Sequence, residues 1–503
     1  MSFSFILVFY IALIITWIIY HFIGGRYALD HPDYRKQHNY PTPQIGGIIF
    51  GPLFLLTVWL MNIAPIWYLI CGLISILLGS ADDIRHISWK TKLCVQIILA
   101  FYIANIFWLR FESIYFYDFS INLPHFVLLG VFLVWFVGIY NAVNLLDGLD
   151  GLAGGFIFII SIGLFIFTEG KFSHLNGIFS IIILAFLVYN QRPAMLFMGD
   201  AGSLFLGFHV ASLPLLYAEG NPYSNSLLTT PFVLLASYLV ADTTRVFLTR
   251  LADKKSPMTA DTIHFHHLIY KQSGSYLATT GLIFFITLLS VIMAILSFES
   301  ILSSNIMIAH FALLLIFILT PPIQTYVPVI TQIVKPFYKW QKIKNVSRPS
   351  SLRTLFMFIL LFSLILSIFF QSDFTSIFNW ANILSLFLFF IFLILIWKDT
   401  MTIYVLQITL ISIITKLTWQ NELEVFSKFL ITMLCVSYSI FFLEKRIGCS
   451  LSKFSSLDQL IIITVIGGII LYLLGLPISI WPFMMIFGVW FSTRFVLLRT
   501  YIF

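Results

Sequence analysis

Four short clusters hold the side chains best suited to chemistry. In Gly79-Ser-Ala-Asp-Asp-Ile-Arg-His, Asp82 and Asp83 stand side by side, with Lys90 and Lys92 a few residues on. Adjacent carboxylates repel unless they share a cation or a proton, which suits a divalent metal or a general base of adjusted pKa, and the lysines offer phosphate contacts. Taken alone, such a pair is more simply a solvated loop. The run Asn141-Ala-Val-Asn-Leu-Leu-Asp-Gly-Leu-Asp-Gly is less ordinary. Asn141, Asn144, Asp147 and Asp150 repeat at intervals of three, so a helical end would bring them to adjoining positions of one face. Gly148, Gly151, Gly154 and Gly155 let a ligand or a helix come close. Polar side chains at a membrane edge need partners, which favours ligand binding over a glycine-rich junction. In Phe197-Met-Gly-Asp-Ala-Gly-Ser, Asp200 is either a helix N-cap or a Mg2+ ligand that bridges to substrate phosphate. The fourth cluster, Asp261-Thr-Ile-His-Phe-His-His, follows Arg245, Arg250, Lys254 and Lys255. The spacing of His264, His266 and His267 lacks the HExxH pattern and no Cys accompanies it, so phosphate donation is favoured over zinc or an unpaired surface loop. Asp242 pairs with Arg245 or reaches the same site.

Positioning these residues falls to long apolar segments. The chain has 503 residues, 60% hydrophobic and 10% charged, with a mean hydropathy of +0.99. Soluble proteins carry about a quarter charged residues, so the composition excludes a soluble globular protein, disorder, collagen and a disulfide framework. Cys71, Cys94, Cys435 and Cys449 share no metal-ligand spacing and read as small apolar residues. A net charge of +7 without a basic domain suits loops held at an anionic leaflet rather than nucleic acid.

Phe3 to Ile23 is long enough to span a bilayer, lacks a basic n-region and a small-residue cleavage site, and reads as a retained helix. Arg26, Arg35 and Lys36 follow it, so the positive-inside rule puts their loop in the cytoplasm and the N-terminus outside. A window of about 19 residues gives further spans near 45–62, 66–80, 93–110, 124–140, 152–168, 173–190, 203–218, 227–248, 278–297 and 305–321. After the basic segment Lys335 to Arg353 come spans near 354–370, 378–397, 401–417, 424–443, 459–475 and 478–497. The expected fold class is an all-α polytopic membrane protein, with about 11 transmembrane helices in the core and about 6 in a C-terminal extension. Its expected parts are a core over 1–325, a basic cytoplasmic linker over 326–353 and the extension over 354–503. With this topology only Arg110, Lys171, Lys416 and Lys428 of the 28 Lys and Arg fall outside. All four polar clusters fall in cytoplasmic loops, which implies one active face.

In order, these clusters resemble the polyprenyl-phosphate N-acetylhexosamine-1-phosphate transferase family, bacterial membrane enzymes that begin O-antigen, enterobacterial common antigen, teichoic acid and related polymers. The phospho-N-acetylmuramoyl-pentapeptide transferase of peptidoglycan is a more distant relative. The matching stretches are Asp33-Tyr-Arg-Lys-Gln-His with Pro41-Thr-Pro-Gln-Ile-Gly-Gly, Asp82-Asp83 with Lys92 and Gln96, Asn141 to Gly151, Met198-Gly-Asp-Ala-Gly-Ser, Asp242-Thr with Arg245 and Arg250, and Ser256-Pro through His264-Phe-His-His. They cover roughly residues 1–320 and leave 335–503 unmatched.

The resemblance implies that undecaprenyl phosphate attacks the sugar-linked phosphorus of a UDP-N-acetylhexosamine, releasing UMP, as the first step of a cell-surface polysaccharide. It implies Mg2+, with Mn2+ as a substitute, and an active site facing the cytoplasm from the bacterial inner membrane. By motif position Asp200 and Asp147 would ligate the metal, and Asp82 would deprotonate or orient the lipid phosphate with Asp83 beside it. Asn144, Asp147 and Asp150 would line the nucleotide and metal side. Lys36 and Lys92 would hold phosphate, and His264, His266 and His267 the diphosphate or sugar, with Asn141, Arg245 and Asp261 completing the substrate-binding set. The implied partners are the two substrates and the bilayer, a homodimer is compatible, and nucleic acid is not expected. Two positions depart from the family: His86 stands where relatives often carry a third Asp, and Thr262 where they often carry Arg. The HFHH form resembles the N-acetylhexosamine branch, with N-acetylglucosamine, N-acetylgalactosamine and dideoxy-hexosamines all open. The competing reading is a membrane transporter or lipid-linked glycan flippase, suggested by the many spans and the unmatched tail. Transporters place ionisable residues near the midplane, whereas these acids gather at one interface.

Overall fold

A computed structural model of the protein describes residues 2–24, 29–30, 41–107, 110–116, 119–192, 194–220, 226–254, 263–298 and 456–473. The chain divides into two compact units, one of Ile15–Thr331 and one of Met1–Ile14 with Gln332–Phe503. The described helices are α1 (Ser2–Ile19), α2 (Gly46–Leu60), α3 (Ile66–Arg85), α4 (Trp89–Phe107), α5 (His125–Leu146), α6 (Leu152–Phe167), α7 (Gly170–Asn190), α8 (Gly199–Glu219), α9 (Thr230–Leu235), α10 (Ser237–Ala252), α11 (Phe265–Ser273), α12 (Tyr276–Phe298) and α13 (Ser456–Leu473). Among the described residues α3, α4, α5, α7, α8 and α12 are long and apolar enough to cross a membrane, and Val8–Gly24, α2 and α6 are shorter apolar helices.

Helix α8 is the axis of the larger unit, with 94% of its spanning window buried against 28% for α5. It carries no charged side chain between Asp200 and Glu219, and it packs against α2, α3 and α5. Close approach is achieved by removing side chains at the crossings, as in helix pairs that lack a hydrophobic drive within lipid. A Cβ on Gly79 of α3 would stand 2.4 Å from the Ala201 backbone, and one on Gly207 would stand 2.4 Å from the Tyr140 carbonyl of α5. Aromatic side chains fill the rest. Phe179 meets Phe54 and Phe205 edge to face and lies against fully buried His209, whose Nδ1 lies 2.7 Å from the Tyr68 hydroxyl. The α6–α7 hairpin and α12 complete the bundle, with α12 resting on α6 and α9.

Three features differ from the sequence expectation. The span near 227–248 is two helices, α9 and α10, which meet at Ala236. The fold is helical but not wholly so: β3 (Ser113–Phe116) and β4 (Phe119–Asn122) form a hairpin joined in parallel by β5 (Ser226–Leu228), and β1 (Leu29–Asp30) pairs with β2 (Thr42–Pro43). A hydropathy window of about 19 residues averages over such short alternating runs. Helices α3, α5 and α8 also run past the expected span ends to include Asp82 with Asp83, Asn141 with Asn144, and Asp200. The expected spans near 305–321 and 354–443, the span near 478–497 and the 326–353 linker lie outside the described residues, while α13 covers most of 459–475.

Substituting Gly79→Ala should cost about 1–3 kcal/mol by overpacking the α3–α8 crossing. An unshifted melting curve in detergent would show that the two helices do not meet there.

Candidate active site at the helix ends

The chain passes from α3 to α4, from α5 to α6 and from α7 to α8 through short connections, and the polar clusters occupy those helix ends. Asp200 is the second residue of α8 rather than its N-cap, which is Met198. The capping task falls to Asp83 in the last turn of α3. Its Oδ1 accepts the Asp200 N–H at 2.7 Å and its Oδ2 the Ala201 N–H at 3.0 Å. A carboxylate at that amino end also answers the helix dipole. Gly199 is obligatory here, since its φ is +67° and a Cβ would stand 2.6 Å from Asp83. The loop before α8 is pinned from behind: Phe197 N–H donates to the Pro43 carbonyl at 2.9 Å, and Gly46 and Gly47 donate to the Phe197 and Met198 carbonyls at 2.9 and 2.8 Å.

With its backbone held, Asp200 turns its side chain to the other clusters. Lys92 of α4 stands between two carboxylates, 2.7 Å from Asp82 Oδ2 and 3.1 Å from Asp200 Oδ2. Asn144 of α5 donates to Ser203 Oγ at 2.7 Å and reaches Asp200 Oδ1 at 3.4 Å. Asn141 points elsewhere. It forms a reciprocal amide pair with buried Gln96, at 2.6 and 3.2 Å, which ties α4 to α5.

The three-residue interval does not continue as one helix face, because α5 ends at Leu146 and Asp147 is its C-cap. Asp147 remains accessible at the mouth of the site yet crowded by protein. Desolvation first, and then the carboxylates of Asp200, Asp150 and Asp83, push its carboxyl up to about 8. Asp150 Oδ2 accepts the Ala194 N–H at 3.3 Å, and its carbonyl accepts the Tyr276 hydroxyl. Asn190 at the end of α7 joins the same two loops, accepting from Gly151 N–H at 2.9 Å and donating to the Leu196 carbonyl at 2.7 Å.

The histidines are carried to this place by α10 and α11. Asp242 accepts from Arg245 Nη2 at 3.0 Å and from the Phe265 N–H at 2.9 Å, and pairs with His264 Nδ1 at 2.9 Å. Arg245 also donates to the Ile263 carbonyl, so the structure commits it to holding this segment. His266 is fully buried with no hydrogen-bond partner on either ring nitrogen, and burial holds it well below the usual imidazole range, helped by neighbouring His267. A Cβ on Gly148 would stand 2.6 Å from His266 Nε2 and 2.9 Å from His267, so the histidines lie directly against the Asp147–Gly151 loop.

The structure thus brings together Asp82, Asp83, Lys92, Asn144, Asp147, Asp150, Asp200, His266 and His267. It sets Asn141, Arg245 and His264 behind them as supports. Lys36 and Asp261 lie outside the described residues. Sequence reasoning missed Asn190 and Ser203; the signal for the first was a polar residue closing an apolar run just before Arg192-Pro193. Among the described residues no three His, Cys, Asp or Glu side chains stand close enough to hold a metal by themselves, which leaves the zinc reading without a cluster. Mg2+ asks less, taking one or two carboxylates with water and substrate phosphate. Asp147 and Asp200 fit that donor set, being hard oxygen ligands within electrostatic reach of each other.

Apolar helices long enough to cross a bilayer, with acids and histidines gathered at their ends, define a multi-pass membrane protein with a polar site at one edge. Residues 65–218, from the start of α3 almost to the end of α8, match the model of glycosyl transferase family 4. The chain is 30% identical over 346 residues to the probable undecaprenyl-phosphate N-acetylglucosaminyl 1-phosphate transferase of Bacillus subtilis (strain 168), covering 66% of this chain and 93% of that protein. It is 28% identical over 274 residues to the undecaprenyl-phosphate alpha-N-acetylglucosaminyl 1-phosphate transferase of Thermotoga maritima, covering 53% of this chain and 81% of that one. It is 34% identical over 193 residues to the phospho-N-acetylmuramoyl-pentapeptide-transferase of Clostridium acetobutylicum, covering 35% of this chain and 61% of that one. The chain belongs to glycosyl transferase family 4.

Because both Asp83 oxygens accept backbone N–H groups, Asp83→Asn places an amide donor against one of them. The expected loss is about 1–2 kcal/mol, the scale of a helix cap. A melting temperature equal to the wild type would show that the cap is dispensable.

Proposed function

We propose that this protein transfers an N-acetylhexosamine 1-phosphate from a UDP-sugar to undecaprenyl phosphate at the cytoplasmic face of a bacterial inner membrane, beginning a cell-surface polysaccharide. The observation that carries the reading is Lys92 held between Asp82 and Asp200, with Asp147 open beside them. Phosphoryl transfer needs opposed charges held in fixed positions more than covalent help from the protein. In the reaction a phosphate oxygen of the lipid bonds to the sugar-linked phosphorus, and the bond from that phosphorus to UMP breaks, UMP keeping the electron pair. Lys92 can exchange a carboxylate for an incoming phosphate oxygen. Asp82, beside it, takes or steers the lipid phosphate's proton. Asp200 and Asp147 would hold Mg2+, or Mn2+ in its place, and when bound the ion supplies neutralisation of the diphosphate. His266 and His267, against the Asp147–Gly151 loop, face the donor's diphosphate or sugar. The acids sit at helix ends rather than mid-helix, which favours this reading over transport. The names of the Bacillus and Thermotoga relatives support the acceptor and favour N-acetylglucosamine as the sugar.

Purified protein incubated with undecaprenyl phosphate, Mg2+ and a panel of UDP-sugars should release UMP with one N-acetylhexosamine donor; no release from any of them would overturn the proposal. In the same assay Asp200→Asn should lower turnover at least about a hundredfold while the protein still inserts and melts as the wild type does. Near-normal turnover would remove Asp200 from the metal role.

A further inference from the structure

One cation near the site takes no part in the contacts among its acids and histidines. Arg192 follows α7 and is half-buried. Its guanidinium lies over two tyrosine rings, 5.6 Å from the centroid of Tyr270 on α11 and 4.9 Å from that of Tyr276 at the start of α12. Nη2 donates to the Tyr270 hydroxyl at 3.3 Å. Among the described residues no carboxylate forms an ion pair with it.

Two routes tie this guanidinium to the acids. Two residues onward, Ala194 N–H donates to Asp150 Oδ2 at 3.3 Å, and the ring of Tyr276 that carries the guanidinium sends its hydroxyl to the Asp150 carbonyl. Tyr270 lies four residues beyond His266, one turn along the same face of α11. Arg192 therefore stands at the border shared by the Asp150 loop and the histidine helix.

The chemistry of the group and the charge around it decide what it does there. A guanidinium carries five N–H donors in one plane, and aromatic faces fix that plane while leaving its edge free for an oxyanion. Of the cations near the acids, Lys92 is already committed to Asp82 and Asp200. A donor bearing a diphosphate adds negative charge to a site already rich in carboxylates, and Arg192 has donors to spare. We propose that Arg192 binds a phosphate of the nucleotide-sugar donor, with Tyr270 and Tyr276 as the walls that hold the guanidinium flat. The inference rests on the transferase reading above.

The test uses the full chain in nanodiscs, the UDP-sugar that the wild type accepts, and UMP as a binding probe. Losing a charge-assisted hydrogen bond, Arg192→Gln should raise the donor KM and weaken UMP inhibition by about ten- to a hundredfold. The KM for undecaprenyl phosphate should stay within about twofold, since the guanidinium serves the donor alone. Arg192→Lys keeps the charge and loses the planar fork, so it should fall between, and it serves as the test if the Gln variant does not accumulate. Equal rises in both KM values, or a lower melting temperature with both unchanged, would make Arg192 a staple between α7 and α11 and overturn the inference. A rise confined to undecaprenyl phosphate would move Arg192 to the acceptor and overturn it as well. A wild-type chain that releases no UMP would remove the transferase reading, whereas wild-type turnover with an unmoved donor KM in Arg192→Gln would remove this inference alone.

Discussion

The amino end of α8 is the point on which the rest of the site depends. Its first backbone N–H groups have no partner within the helix, and two of them are taken by a carboxylate from another helix, Asp83 of α3. That arrangement fixes α3 against α8, requires glycine at 79 and 199, and releases the Asp200 side chain from capping its own helix. Asp200 can then face Lys92 and Asn144. Adjacent acids that look equivalent in sequence thus divide their contacts: Asp83 caps α8 while Asp82 pairs with Lys92.

The polar residues form two layers. Asp82, Lys92, Asn144, Asp147, Asp200 and His266 make the inner one. Behind it the Asn141–Gln96 pair, Asn190 and the Asp242–Arg245–His264 group lock helices and loops together. Each supporting contact joins groups that would be costly to leave unpaired away from water. His266 is buried with both ring nitrogens unpartnered.

The gathering of the polar clusters was legible in the sequence largely because the charged residues are few. When 10% of a chain is charged, a cluster such as Asn141 to Asp150 stands out, and alternation of spans predicts that the four clusters share one side. The clusters do meet, in the contacts of Lys92 and of Gly148. Helix ends were read less well, since a hydropathy window closes at the first charge while α3 continues through Asp83 to Arg85. The sequence left Asp200 open as a cap for the same kind of reason: an N-cap is expected from the neighbouring residue, and nothing local shows that Asp83 arrives from over a hundred residues away. The break at Ala236 and the β3–β4–β5 sheet depend on tertiary contacts that short segments do not announce. Arg192 likewise gains meaning only from two tyrosines much later in the chain.

Those separations bear on how the chain is made. Lys92 lies 10 residues from Asp82, whereas the bonds from α8 to Asp83 close over 117 and 118 residues. As the ribosome delivers α3 and α4, the lysine is already at hand for one acid of the pair, long before α8 emerges to occupy the other. The Lys92–Asp82 pair can therefore form within the α3–α4 hairpin alone, whereas the cap that Asp83 places on α8 must wait for the later helix.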